Sequence, residues 1–123
     1  MSKGIWLNRS LIVSPIRMAL CKTEKQFTQE LKRLKIKESE FPDFVSCGAD
    51  ATTHFFKKGR EECCIVCLRT AKKITRVQVY SLLVHEAVHI WQAVKECIGE
   101  ADPSKEFEAY SIQAISQELM GAY

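Results

Sequence analysis

Hydrophobic and polar positions change period several times along the chain, and each change marks an element. Ile-Arg-Met-Ala-Leu-Cys at 16–21, within the apolar segment 12–21, predicts a strand. Thr23-Glu-Lys-Gln26 has the form of a capping box: the Thr side chain accepts from the first turn and the Gln reaches back to the N-cap amide. The helix it opens is expected to run to about residue 35, with Phe27, Leu31 and Leu34 on one face. Residues 36–47, around Phe41-Pro-Asp-Phe44, carry no period and predict an irregular connection. Two apolar runs, 51–56 and 62–69, flank Lys57-Lys-Gly-Arg60 and predict a hairpin with a glycine-containing loop.

Residues 75–98 are expected to form one long helix, closed by Gly99. Asp102 then offers an N-cap and Pro103 a first helical position for a last helix ending near residue 120. The predicted order is β-α-β-β-α-α. This is an α+β domain, its small mixed or antiparallel sheet packed on the long helix.

Length bounds what such a domain can hold. The 123 residues make one domain, 1–123, with no room for a separate cofactor domain, a TIM barrel or a second peptidase lobe. No apolar run approaches the roughly 18 residues of a membrane span, and no unbroken apolar core precedes a cleavage site, so a cytoplasmic location is expected. The formal charge is only +3, with Lys and Arg scattered among glutamates. Lys32, Arg33, Lys35 and Lys37 read as a solvated helix face rather than a phosphate-binding stripe, so neither nucleic acid nor membrane is an expected partner. Six cysteines suggest disulfides only in an exported chain. Cys64 and Cys67 have the spacing of a zinc or redox pair, but on a strand they point to opposite faces, and core packing is the expectation.

The candidate chemistry lies in the long helix, in His85-Glu86-Ala-Val-His89. Two histidines at i and i+4 share a helix face, so their ring nitrogens can converge on one metal ion. Glu86, offset by about 100°, can sit beside a metal-bound water and take its proton. Random chains of this composition would contain the pattern about once in 200. The surrounding helix is apolar almost all round and reads as buried, except for a polar stripe of Gln78, Ser81, His85, His89, Gln92 and Glu96. Such a stripe, if buried, needs a partner, and one zinc ion would supply it. A third ligand is required. No histidine follows His89, which excludes the metzincin arrangement. Cys97 is one candidate. A carboxylate on the last helix is the better one, and Glu108, aligned with Ile112, Ile115 and Leu119, is preferred to Glu106.

His85-Glu86-x-x-His89 followed after eighteen residues by Glu108 resembles the gluzincin branch of the zinc metallopeptidases. The stretches 85–92 and 106–113 look like small single-domain metallopeptidases of phage and prophage. The resemblance implies a minimal zincin-like fold and a hydrolase that cleaves peptide or protein substrates. It implies His85, His89 and Glu108 as zinc ligands and Glu86 as general base. The family's oxyanion-stabilising Tyr or His would fall to Tyr110 or His54. The family's usual Asp four residues after the glutamate ligand is replaced by Ile112, which leaves Gln92 or Gln113 to support the ligands. A zinc-binding protein without turnover, acting as a regulator, is the alternative.

Overall fold

The computed structural model of the chain describes residues 3–7, 14–70 and 73–123. Positions 12 and 13 of the first apolar segment lie outside them. Eight elements follow in order: β1 (Ile5–Trp6), β2 (Ile16–Cys21), α1 (Glu24–Arg33), a single 3-10 turn (Glu38–Glu40), β3 (Ala51–Lys58), β4 (Glu61–Leu68), α2 (Arg76–Cys97) and α3 (Lys105–Ala122). The α+β class and the sequence of major elements are as expected; β1 is an addition.

The four strands form one mixed sheet in the order β1-β2-β4-β3. β4 is central. It pairs in parallel with β2, Met18 opposite Cys64, and antiparallel with β3, Thr53 opposite Val66. β1 adds an antiparallel edge, Ile5 opposite Leu20. Strand alternation divides the side chains between two cores. Met18, Leu20, Cys64, Val66 and Leu68 face α2 and α3, where Val79, Leu83, Ile90, Trp91 and Leu119 complete the larger core. Ala19, Cys21, Ile65 and Cys67 face α1, against Phe27 and Leu31. Cys64 and Cys67 therefore lie on opposite faces, and all six cysteines are free thiols. Burial pushes the Cys21 thiol up to about 12, so it stays protonated and packs as a small apolar group.

Caps set the helix boundaries. Thr75 Oγ1 accepts from Gln78 N while Gln78 Oε1 accepts from Thr75 N, a complete capping box at the start of α2. At α1, Thr23 accepts from Gln26 N as expected, but Gln26 Oε1 takes the N–H of Lys22 rather than that of the N-cap. α3 starts later than the Asp-Pro signal suggests: its N-cap is Ser104, whose Oγ accepts from Phe107 N. Gly99, at φ 73, closes α2 in the left-handed conformation, its own N–H donating to Glu96 O and that of Glu100 to Lys95 O.

α2 departs from one expectation. Its buried stripe is Val79, Leu83, Glu86, Ala87, Ile90, Trp91 and Val94. Val77 and Val84 are exposed, and so is the whole polar stripe from Gln78 to Glu96. The helix lies on the sheet with α3 packed on one flank, and its other flank is open among the described residues.

Candidate metal centre on the long helix

The solvent-facing flank of α2 carries the histidine pair. His85 Nε2 and His89 Nε2 lie 3.2 Å apart, the rings 4.9 Å between centroids and inclined at 71°. Two imidazole nitrogens bound to one tetrahedral zinc at about 2.0–2.1 Å would be about 3.3–3.4 Å apart. The observed separation fits a shared ion. Both rings are open to water, so the polar stripe needs no metal to satisfy it, and at 3.2 Å one imidazole can also hydrogen-bond directly to the other.

Glu86 is turned inward and is 5 % exposed. Its Oε1 accepts from Thr53 Oγ1 at 2.8 Å, tying α2 to β3. Thr53 follows from strand parity: with Ala51 on the α2 side of β3, Thr53 and Phe55 share that side. The sequence offered the alternation but not the parity, so this partner was missed. A cleft of about 550 Å³ adjoins Glu86 and His85, its walls formed by Ala51, Ile74, Val77 and Leu82. Asp50, Gln78 and Ser81 add polar groups to its rim. A second cleft of about 400 Å³ opens further along the same seam at Phe55, Ala93, Glu96 and Cys97.

The other expected residues are placed differently. Glu108 is half-buried on α3, and its Oε2 accepts from Trp91 Nε1 at 2.9 Å. Phe107 meets the same indole edge-on, ring centroids 5.4 Å apart. Trp91 follows His89 by two residues, about 200° around the helix, so Glu108 is held away from the histidine nitrogens. Among the described residues no three His, Cys, Asp or Glu side chains form a group that could hold a metal. Glu106 is exposed in the first turn of α3. Cys97 Sγ donates to Glu62 Oε2 at 2.8 Å, and that carboxylate, more than burial, pushes the thiol up to about 11.

Neither oxyanion candidate is beside Glu86. Tyr110 is 60 % exposed on α3 and lines neither cleft. His54 lies on the α1 side of β3, where it stacks on Phe27 at 4.8 Å and its Nε2 is 2.9 Å from Phe44 O. That histidine fastens the 41–45 connection to the small core. Gln92 and Gln113 are exposed. Comparison with family models, with curated proteins and with solved structures gives no match.

Proposed function

We propose that this chain is a zinc-dependent metallopeptidase, a hydrolase of peptide bonds built on a minimal zincin-like domain. One observation carries the reading: two converging imidazole nitrogens 3.2 Å apart on α2, next to a buried glutamate held by β3. His85 and His89 would hold one zinc ion, and Glu108 would complete the set by exchanging Trp91 for the metal. Bound there, zinc supplies a Lewis acid and acidifies water. Glu86, positioned by Thr53 through Oε1, would serve as the general base.

The substrate seat is the seam between β3 and α2. β3 is an edge strand, open to pairing with an extended peptide. The two clefts flank Glu86 along that seam. From Leu82 to Ala93 the helix rises about 16 Å, enough for about five extended residues. The seam thus offers the wall that a second lobe provides in larger enzymes.

The bond between Trp91 and Glu108 favours a second reading, a zinc-binding protein without turnover that acts through a partner. Elemental analysis and a peptide-library assay separate the cases. Zinc at one equivalent, lost in His85→Ala, with cleavage lost in Glu86→Gln, supports the peptidase. Zinc without cleavage supports the regulator, and stoichiometric zinc in His85→Ala refutes the site.

A further inference from the structure

We infer that the opposite face of the sheet holds a binding site for a phosphate-bearing nucleobase, either a free nucleotide or part of a single strand. A cleft of about 350 Å³ opens there between the end of α1, β2 and the β3–β4 hairpin. Small-molecule sites run from about 300 to 1,000 Å³. Trp6 and Phe56 stand in its wall, and Arg17 lies over the Trp6 ring, 5.8 Å from its centroid. In the floor, Glu30 is 1 % exposed; its Oε1 accepts from Trp6 Nε1 at 2.9 Å and meets Arg33 at 3.5 Å.

The fold brings charged side chains from three stretches of the sequence to this cleft. Five cations, Arg17, Arg33, Lys35, Lys57 and Lys58, line the cleft together with four glutamates. Within the cleft, Glu30 and Glu62 are already engaged by Arg33 and Lys57. Arg17, Lys35 and Lys58 form no ion pair among the described residues, and Glu40 and Glu61 share the lining with them.

Lys35 supplies an independent observation. It ends α1 at φ 60, the one non-glycine residue with positive φ among the described residues. Its N–H donates to Lys32 O and that of Ile36 to Leu31 O, an arrangement glycine adopts without strain. Lys35 thus sets a cation at the lip of the cleft in a backbone conformation that glycine adopts more easily. Cations neutralise phosphate, while aromatic side chains accept the face of any base. An acidic peptide would use the cations and leave Trp6 and Phe56 idle.

The test uses the intact chain and three probes: a fluorescein-labelled oligothymidylate, thymidine monophosphate, and inorganic polyphosphate as a polyanion without rings. Lys35→Gly and Arg17→Gln are the variants. Lys35→Gly should hold or raise the Tm, yet weaken binding roughly three- to tenfold and lower the salt slope of strand binding by about 1. Binding of the strand alone, the nucleotide alone, or both supports the site and names its source. Three results overturn it: no binding by any probe at low salt, polyphosphate binding as well as the strand, or binding unchanged in both variants. The outcome is independent of the histidine pair, which lies on the other side of the sheet.

Discussion

The bond between Trp91 and Glu108 makes a prediction with opposite signs for stability and for metal affinity. Trp91→Phe keeps an aromatic ring in the core but removes the N–H that holds Glu108 Oε2 at 2.9 Å. A hydrogen bond to a charged acceptor contributes about 1.5–3 kcal/mol, and the half exposure of Glu108 lowers this to about 1–2 kcal/mol. If Glu108 must leave Trp91 to reach zinc, that amount opposes coordination in the wild type. Trp91→Phe should then bind zinc about 5–30 times more tightly. The same substitution shrinks a side chain that is 2 % exposed and so costs about 1–3 kcal/mol of folding stability. Chelator competition reads the affinity and urea unfolding of the metal-free chain reads the stability. Glu108→Gln is the counterpart, since its amide oxygen still accepts from the indole: stability should be nearly kept and zinc affinity lost. Zinc should also shift the Trp91 indole N–H resonance. Unchanged or weaker zinc binding in Trp91→Phe, together with wild-type affinity in Glu108→Gln, refutes Glu108 as a ligand.

Other substitutions probe separate parts of the argument. Thr53→Val leaves Glu86 Oε1 buried without its donor and should cost about 1–3 kcal/mol in urea unfolding, with a smaller loss when Glu86 is already Gln. Leu83→Ala, at a fully buried position of α2, should cost about 2–5 kcal/mol; a near-neutral result would deny α2 its place on the sheet. Cys97 sits beside Glu62, so alkylation by iodoacetamide should be slow at pH 8 and accelerate in Glu62→Gln, which removes the charge opposing the thiolate. Cys21 is raised in the fold from 9.0 to about 12, so its contribution is fully present below pH 9 and declines as pH rises towards 12; unfolding titrations should show stability falling across that window, less so in Cys21→Ala.

Much of the fold was legible because period and punctuation agreed. The Thr23 cap, the glycine after α2 and the hairpin around Gly59 are local signals, and they survived folding. β1 escaped because two residues show no alternation. The burial of α2 was overread: Val77 and Val84 are apolar but exposed, since helix composition does not say how many layers surround it. At the site, the i, i+4 histidines needed only helix geometry to be placed together. His54 and Thr53 are adjacent, and which one faces α2 is a question of strand parity, decided by packing. Glu108 lies on the half-buried side of α3, as its alignment with Ile115 and Leu119 implied, but the azimuth between two helices decides whether it meets His89 or Trp91.

The parallel pairing of β2 with β4 also orders events in time. Met18 and Cys64 are partners across 46 residues, whereas the β3–β4 hairpin and the α2–α3 pair close over short connections. Loop-closure entropy and contact order make the hairpin early and the β2 docking late. During synthesis β2 emerges before β4 and must wait for Glu61–Leu68, with the edge that β1 does not cover unpaired. Lys57, Lys58 and Arg60 place charge at the tip of the hairpin that must bring β4 to the centre of the sheet, the kind of position where charge opposes edge-to-edge association.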